Sequence, residues 1–250
     1  MTDSPAPRVE VHDGPDALAT AVAGELLSRL ADAQDAGREP HVVLTGGTIA
    51  VHVHREIARL SPDSGVDWTR VVVWWGDERF VAPGSEDRNA LGARADLLDA
   101  VGATQVHEVA STTDAPDVAA AAAAYDAALR EHGADEFEVV MLGVGPDGHV
   151  ASLFPGFPQL DADGITVAVT DSPKPPPERV SLTFGRLNRT RATWLLVSGE
   201  GKADAVAAAL APEPDDAEAR DALRRDTPAR GVAGQQETVW FLDRASASHL

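Results

Sequence analysis

A histidine and an aspartate two residues apart lie in a run of glycines, where a titratable pair could do acid–base chemistry. Asp147 and His149 lie in the stretch VVMLGVGPDGHVASLFPG, after an apolar run that is typical of a buried strand. An imidazole titrates near neutrality, so His149 could take a proton from water and later return it, while Asp147 orients the ring. A capping or structural histidine is the commoner outcome for this residue type. Ser152, which follows without an obvious partner, is a weak candidate nucleophile.

A glycine turn follows a second apolar run, HVVLT. Gly46 and Gly47 let the backbone approach a ligand closely, and the amides at the start of the helix that follows suit an anion such as phosphate. A tight turn with Thr48 as the helix cap explains the same residues equally well. The pattern is neither GxGxxG nor GxxxxGK, so it does not specifically indicate a nucleotide.

Three charged residues come directly after a third apolar run, RVVVWW. Asp77, Glu78 and Arg79 cannot all be buried there without partners. The Arg79 guanidinium could hold a phosphate or a developing oxyanion with paired hydrogen bonds. By itself the segment slightly favours a solvated loop with a local ion pair.

Lysine is scarce and unusually placed. The two lysines of the chain, Lys174 and Lys202, both fall at predicted strand–loop junctions, and Arg179 accompanies Lys174 around the proline-rich stretch SPKPPPER. Ordinary surface charge is supplied by arginine, so this distribution favours an anionic ligand. A cation at the start of a helix, where Lys202 is predicted, is unfavourable unless something negative lies beside it.

The elements that must position these residues alternate between apolar runs and helical patterns, which predicts an α/β fold. We expect one domain over residues 1–250, a mostly parallel sheet flanked by helices on both faces in a modified Rossmann-like arrangement. Ligands of such sheets bind beyond the carboxyl ends of the strands, where the strand order reverses, so the three motifs should converge there. Strands are predicted over 8–12, 41–45, 70–75, 138–144, 165–170, 179–184, 192–198 and 237–243, helices over 15–33, 48–60, 89–101, 117–133 and 202–210, irregular segments over 172–179 and 211–220, and a loose tail over 1–7.

Composition excludes several classes of protein. The chain has 21 basic and 40 acidic residues, a net charge of −19, so neither nucleic acid nor an anionic membrane is an expected partner. An anionic ligand would need a local cluster of positive groups against this field. No apolar run reaches the roughly 18 residues of a membrane span, and the N-terminus lacks a secretory pattern, so we expect a cytoplasmic protein. Cysteine is absent, which excludes disulfides and thiolate chemistry.

A metal site is not expected either. His52 and His54 form an HxH pair, but on a predicted helix they point to different faces, whereas helical ligands are spaced three or four residues apart. We expect no metal and no cofactor. The residues favour a small anionic ligand, and we expect a monomer or a small homo-oligomer.

Four segments, in this order and spacing, resemble the 6-phosphogluconolactonase family: LTGGT, WWGDERFVAPGSEDRNA, LGVGPDGHVASLFPG and PKPPPERVSLTF. The resemblance extends from about Val9 to Phe241. It implies hydrolysis of a small sugar phosphate, 6-phospho-D-glucono-1,5-lactone, to 6-phosphogluconate, in the oxidative pentose phosphate pathway, on a single α/β domain without a metal. Arg88 is a departure, because serine often precedes the asparagine of this family pattern.

The resemblance also implies residue roles. His149 is similar to the family's general base, with Asp147 as its orienting neighbour, and either Arg79 or a backbone amide would stabilise the oxyanion. The remaining positions match the phosphate-cradling turn and the substrate contacts of the family: Gly46, Gly47, Thr48, Asp77, Lys174, Arg179 and Lys202.

Three other functions compete with lactone hydrolysis. Amino-sugar-phosphate deaminases of the same superfamily share the DGH segment but continue with a glutamate-containing stretch, and no acidic residue occurs here between His149 and Leu160. A non-catalytic sugar-phosphate sensor would usually carry a DNA-binding helix pair and lack the Asp147–His149 pair. An acidic scaffold protein leaves the two lysines and the glycine turns unexplained. The hydrolase is therefore favoured.

Overall fold

The computed structural model describes residues 6–250 and contains ten strands there. Seven of them form one fully parallel sheet, and three form a small antiparallel sheet. The strands are β1 (Arg8–His12), β2 (His41–Leu44), β3 (Val72–Trp75), β4 (Asp77–Arg79), β5 (Gln105–Val106), β6 (Phe137–Gly143), β7 (Thr166–Val169), β8 (Arg179–Leu182), β9 (Thr190–Val197) and β10 (Glu237–Asp243).

Helices cover both faces of the large sheet, as predicted. The α-helices are α1 (Pro15–Asp35), α2 (Thr48–Leu60), α3 (Asn89–Ala93), α4 (Asp99–Val101), α5 (Val118–His132), α6 (Phe184–Leu187), α7 (Ala203–Leu210) and α8 (Ala217–Asp226). A π-helical turn, Arg94–Leu98, joins α3 to α4, so the three pieces make the one helix predicted over 89–101. In the described residues, no helix is long and apolar enough to cross a membrane.

The order of the large sheet, β1-β10-β9-β6-β2-β3-β5, explains its continuous apolar strands. The residues of its inner strands, β10, β9, β6, β2 and β3, are buried on both faces, so their apolar side chains pack alternately into two separate clusters. Trp74 faces the cluster that contains α5, whereas Trp75 faces the cluster that contains α1 and α2, and both rings are fully buried. Truncating either tryptophan to alanine would cost about 3–5 kcal/mol of stability.

The order of the strands reverses between β2 and β6, which are neighbours. From β2 the chain proceeds outward through β3 and β5, and from β6 it proceeds outward on the other side through β9 and β10. The loops that leave these strands at their carboxyl ends therefore diverge around an open crevice, where open α/β sheets bind their ligands.

The charged segment after β3 is not the solvated loop that its composition slightly favoured. Asp77–Arg79 form β4, which pairs with β8 in the antiparallel sheet β4-β8-β7. Asp77 and Glu78 are buried, and Glu78 is completely inaccessible. Backbone pairing with a strand some hundred residues later gives these charges their burial, and local sequence carries no sign of it.

One further prediction differs from the structure. The segment predicted as irregular over 211–220 includes the first turn of α8, whose Asp216 cap accepts a hydrogen bond from the Ala219 amide. No residue of α8 is buried, so it has no apolar face that periodicity could reveal. Of the tail predicted over 1–7, residues 1–5 lie outside the described part, and residues 6 and 7 are exposed and outside any strand.

Candidate active site

A cavity of about 630 Å³ opens at the carboxyl ends of the strands, beside the point where their order reverses. Loops distant in sequence converge on it: the turns after β2 and β6, strand β4, the proline-rich loop before β8 and the segment after β9. Every predicted site residue except Asp147 lines this cavity: Gly46, Gly47, Thr48, Asp77, Arg79, His149, Lys174, Arg179 and Lys202.

His149 stands at the cavity wall with Asp147 directly behind it. The Nδ1 atom of His149 lies 2.5 Å from Oδ1 of Asp147, and the imidazole is 14% exposed. An ionised carboxylate can only accept a hydrogen bond, so the proton between the two groups belongs to Nδ1. The other ring nitrogen, Nε2, is then unprotonated in the neutral ring and can accept a proton.

The turn that presents His149 requires small residues. The Gly145 amide donates to the His149 carbonyl, and the Gly148 amide donates to the Gly145 carbonyl, which closes the loop tightly. Gly148 has a φ of 79°, which favours glycine. A Cβ on Gly145 would overlap both the imidazole ring and the Asp147 carboxylate. Gly145 is therefore the residue that makes room for the pair.

Asp147 is held in its ionised form. Burial acts to raise the pKa of Asp147, but the hydrogen bond from His149 and the positive charge of Lys174 outweigh it, so the pKa lies well below its usual range. The Lys174 ammonium lies 3.8 Å from Oδ1 of Asp147 and 3.4 Å from Nδ1 of His149. Since Nδ1 carries the proton shared with Asp147, we assign the Lys174 interaction to the carboxylate.

Arg179 anchors the proline-rich loop that carries Lys174. Its guanidinium donates to the carbonyls of Pro176 at 3.1 Å and Lys174 at 3.0 Å, and it is only 4% exposed. Burial lowers the pKa of Arg179, while Asp77, 3.9 Å away, acts in the opposite direction. The guanidinium stays charged, because arginine titrates far above neutrality.

Lys202 reaches the cavity from the start of α7. Its ammonium donates to the Val144 carbonyl at 2.8 Å, next to the turn that carries His149. Burial lowers the pKa of Lys202, and Lys174 lowers it further, while Asp147 acts to raise it. Two ammonium groups that repel each other across a partly buried cavity favour an anion between them.

The glycine turn after β2 begins α2 on the opposite wall. Gly47, with a φ of 95°, is the N-cap residue and Thr48 is the first helical residue, so the prediction that Thr48 caps the helix is wrong. No side-chain capping bond is made at this end. Thr48 and Ile49 of the first turn line the cavity, and the first amides of a helix have no helical acceptor, so this end of α2 is suited to binding an anion.

The structure reveals site residues that the sequence argument missed. Asn89 lines the cavity and accepts a hydrogen bond from the Arg79 guanidinium at 2.5 Å. In the sequence, Asn89 belongs to the motif EDRNA, but its spacing from Arg79 did not indicate that the two side chains form a hydrogen bond. His52 also lines the cavity, with Nδ1 2.8 Å from Asp16 Oδ1.

Two other predictions concern reactive groups near the cavity. His52 and His54 lie on different faces of α2 as predicted, because His54 is buried in the protein. Among residues 6–250, no group of three or more metal-ligating side chains is placed to hold a metal ion. Ser152 is completely buried and donates to Oδ2 of Asp77 at 2.7 Å, so it orients that carboxylate and is inaccessible as a nucleophile.

Comparison with known proteins identifies the family. The sequence model described as "Glucosamine-6-phosphate isomerases/6-phosphogluconolactonase" matches residues 13–240. The chain belongs to this family. A 6-phosphogluconolactonase of Streptomyces coelicolor is 40% identical over all of this chain and 96% of that protein. One of Mycobacterium tuberculosis is 38% identical over 97% of this chain and 98% of that protein.

Solved structures of the glucosamine-6-phosphate isomerase/6-phosphogluconolactonase family have the same fold. The 6-phosphogluconolactonase of Thermotoga maritima superimposes with a TM-score of 0.81 at 25% identity, over 95% of this chain and 99% of that one. A monomeric glucosamine-6-phosphate deaminase gives a TM-score of 0.79 at 17% identity, over 97% of this chain and 100% of that one. The fold alone is thus common to both branches, and the side chains of the cavity must distinguish them.

The cavity of this family member combines a titratable ring with positive groups. His149 offers an imidazole that can accept a proton, Lys174 lies beside that ring, and the start of α2 offers helix amides. Four cationic side chains, Arg79, Lys174, Arg179 and Lys202, line the cavity in a chain whose net charge is −19. The arrangement can bind an anionic group, activate water and stabilise a developing negative charge.

Proposed function

We propose that the protein hydrolyses 6-phospho-D-glucono-1,5-lactone to 6-phospho-D-gluconate, with His149 as the general base. Family membership and full-length similarity to proteins named 6-phosphogluconolactonase support the reaction. The observation that carries the mechanism is the Asp147–His149 pair on a cavity shared with both lysines of the chain. We further propose that residues 1–250 act as a single cytoplasmic domain in the oxidative pentose phosphate pathway.

The reaction begins with the activation of water. Nε2 of His149 accepts a proton from a water molecule as the water oxygen attacks the C1 carbonyl of the lactone. The carbonyl electrons move onto its oxygen, which becomes a tetrahedral oxyanion. Asp147 stabilises the imidazolium that forms, because the carboxylate already accepts the Nδ1 proton at 2.5 Å. General-base assistance of this kind is worth roughly a hundred- to ten-thousandfold in rate.

The intermediate then collapses and opens the ring. The oxyanion electrons re-form the carbonyl, the bond between C1 and the ring oxygen breaks, and the ring oxygen takes the proton that Nε2 received. The product is a carboxylic acid, which ionises in water, and His149 returns to its starting form. Arg79 is our candidate for stabilising the oxyanion, with a backbone amide as the alternative.

The phosphate group is bound by the cationic side chains and helix amides that line the cavity. The turn Gly46–Thr48 offers amides at the start of α2, and Lys174, Arg179 and Lys202 offer charge. Anchoring the phosphate fixes the lactone relative to His149, so that attack becomes effectively intramolecular. Asp77, oriented by Ser152, is positioned to accept hydrogen bonds from sugar hydroxyls.

Deamination of glucosamine 6-phosphate is the second candidate, because a deaminase has the same fold. Residues 150–159 contain no carboxylate that could assist opening of an amino-sugar ring. We expect no ammonia release from glucosamine 6-phosphate. A non-catalytic sugar-phosphate sensor would bind the phosphate but leave the lactone intact, so one assay of lactone hydrolysis separates it from the hydrolase.

The decisive experiment replaces His149 by alanine. Lactone hydrolysis, measured as acid production and corrected for the spontaneous reaction, should fall at least about a hundredfold in kcat, while KM changes little. His132→Ala, a change to an exposed histidine on α5, is the matched control and should retain full turnover. Unchanged turnover in the His149 variant would refute the assignment.

A second variant tests the phosphate side. Lys202→Ala removes one ammonium from the cavity and should mainly raise KM, because it weakens binding of ground state and transition state alike. Arg244→Ala, at a side chain that is 75% exposed, removes one positive charge elsewhere and should leave KM unchanged. If KM of the Lys202 variant equals that of the wild type, Lys202 does not bind the phosphate.

A further inference from the structure

Glu78 is a buried carboxylate that the proposed mechanism does not use. Its side chain is fully inaccessible and accepts three backbone hydrogen bonds, from the amides of Arg79 at 2.9 Å and of Asn89 and Ala90 at 2.8 Å. The last two are free amides at the start of α3. Glu78 thus ties strand β4 to the first residue of that helix. Burial still raises the pKa of Glu78, and the three N–H donors offset part of that penalty.

Asn89, the residue fixed in this way, uses both ends of its amide inside the protein. Its Oδ1 accepts from Nη1 of Arg79 at 2.5 Å, and its Nδ2 donates to the Asp77 carbonyl at 2.9 Å. The side chain is 8% exposed. A Cβ on Gly46 would overlap the Asn89 amide, so the glycine turn is shaped around it. Asn89 therefore has an identifiable protein partner at each polar end.

The Arg79 guanidinium is held by neutral acceptors. Besides Asn89, Nη1 donates to the Asp87 carbonyl at 2.9 Å, and the buried Nε has no hydrogen-bond partner among the described residues. Between residues 6 and 250, no carboxylate lies within ion-pair distance of this guanidinium, although Glu78 is its neighbour in sequence. The Glu78 carboxylate accepts hydrogen bonds from backbone amides instead. The positive charge of Arg79 remains available to a ligand in the cavity.

We propose that Glu78 and Asn89 are positioning residues, which fix the Arg79 guanidinium in the cavity through neutral hydrogen bonds and leave its charge uncompensated for an anionic substrate or oxyanion. This inference deepens the proposed function and rests on it for the identity of the reaction. It applies equally if Arg79 contacts the phosphate or the oxyanion, because both are negative.

A double-mutant cycle tests whether Asn89 acts through Arg79. We expect Asn89→Ala and Arg79→Ala each to lower kcat/KM about tenfold or more, and the double variant to be no worse than Arg79→Ala alone. An effect of Asn89→Ala that persists undiminished without Arg79 would overturn the proposal. Asn188→Ala is the matched control, because its amide likewise has a protein partner at each polar end, the Gly231 carbonyl and the Ala233 amide, away from the cavity. Its effects should be on stability and should add to those of Arg79→Ala.

The same cycle extends to Glu78. Oε1 of Glu78 accepts from the Arg79 and Asn89 amides and Oε2 from the Ala90 amide, so Glu78→Gln must turn an N–H donor toward at least one of these amides. It should loosen the start of α3, shift Asn89 and reduce kcat/KM, with no further loss in the Arg79→Ala background. Glu138→Gln, at a buried carboxylate that pairs with Arg29 and Arg38, is the control and should leave kcat/KM unchanged. Equal losses of kcat/KM in both glutamine variants would assign Glu78 a general structural role and contradict our inference.

Charge is tested separately by Asn89→Asp, which keeps an acceptor for Arg79 but pairs it with a negative charge. The expected result is weaker binding of inorganic phosphate in calorimetric titration, by about tenfold, with the guanidinium still in place in the crystal structure. Unchanged phosphate affinity would show that the neutrality of Asn89 is irrelevant.

The crystal structure of Asn89→Ala keeps this inference separate from the proposed function. A displaced Arg79 guanidinium supports the positioning role even if the wild type shows no lactone hydrolysis, which would refute the proposed function alone. A guanidinium that stays in place without Asn89 overturns the positioning role even if the wild type is an active lactonase.

Discussion

His149 owes its orientation to residues with little or no side chain around it. Gly145 leaves space for the ring and for Asp147, and Gly148 adopts a φ of 79° that turns the chain back on itself. Phe154 packs against the imidazole with a centroid distance of 4.6 Å. The ring is therefore confined from several sides while Nε2 stays available, which is the preorganisation that a general base requires.

Replacing Gly145 tests the contact between His149 and Asp147. Gly145→Ala places a methyl group into the imidazole and the Asp147 carboxylate, so the pair must separate. We expect kcat for lactone hydrolysis to fall at least about tenfold, because His149 loses the carboxylate that orients its ring. Gly24→Ala, inside α1 with open space around it, is the control and should retain full activity. A fully active Gly145→Ala enzyme would contradict the geometry described for the turn.

Residue types and spacing predicted which side chains gather in the cavity, but not how they are connected. Lys174, Arg179 and Lys202 were singled out by their positions at strand ends, and all three line the cavity. The hydrogen bond of Ser152 to Asp77 could not be predicted, because it joins segments 75 residues apart whose proximity depends on sheet order. The hydrogen bonds of Asn89 depend on the path of the loop between β4 and α3, for which the sequence has no periodic pattern. The roles of the site residues in catalysis and binding remain predictions.

At the scale of elements, most strands were predictable from apolar runs, including β7 and β8 of the small sheet, whereas β4 and the two-residue strand β5 were not. Continuous apolar runs such as β6 can only be buried on both faces, which indicates a parallel sheet. β4 consists of three charged residues and exists because it pairs with β8. A strand that forms because of a distant partner leaves no local sequence pattern. β4, which contributes Asp77 and Arg79 to the cavity, was therefore not predicted.

His54, a buried residue of helix α2, is expected to make the stability of the protein depend on pH. Burial lowers the pKa of His54 from 6.5 to about 4, with Asp96 acting weakly in the opposite direction. Below pH 6.5 the unfolded chain binds a proton that the folded protein takes up only near pH 4. Stability is therefore complete above pH 6.5 and is lost as the pH falls, by about 2 kcal/mol between pH 6.5 and 5 from this group.

His54→Leu removes that linkage. We expect the free energy of unfolding in urea to depend less on pH between 7 and 5 in this variant than in the wild type, by about 2 kcal/mol. His132→Leu changes an exposed histidine and should preserve the wild-type slope. The same slope in the wild type and the His54 variant would mean that His54 is protonated in the folded protein.

At the scale of the whole molecule, charge is distributed unevenly. The chain carries −19 overall, yet four cationic side chains line the cavity. Arg179 and Arg79 reach it from paired strands β8 and β4, and Lys202 from the loop after β9. The fold thus gathers positive charge at the crevice from separate parts of the chain, and leaves the acidic excess elsewhere.

That acidic excess predicts a response to salt. Self-repulsion among like charges destabilises the compact state, and salt screens it over about 10 Å at 0.1 M. We expect Tm at pH 7.5 to rise by about 3–6 °C between 10 mM and 0.3 M NaCl, the equivalent of about 1–2 kcal/mol. Near the isoelectric point of about 4.6 the repulsion vanishes and the rise should too. An equal rise at both pH values would point to a cause other than net charge.

The placement of the two lysines has a practical corollary. Lys174 and Lys202 are the two lysines of this chain, and both line the cavity, so its side-chain amines all lie at this one site. Acylating or aldehyde reagents, which decorate most proteins at many points, have only this cluster and the terminal amine to modify. A fluorophore or an immobilisation tether directed at lysine would therefore block the cavity, whereas conjugation through surface carboxylates would leave it open.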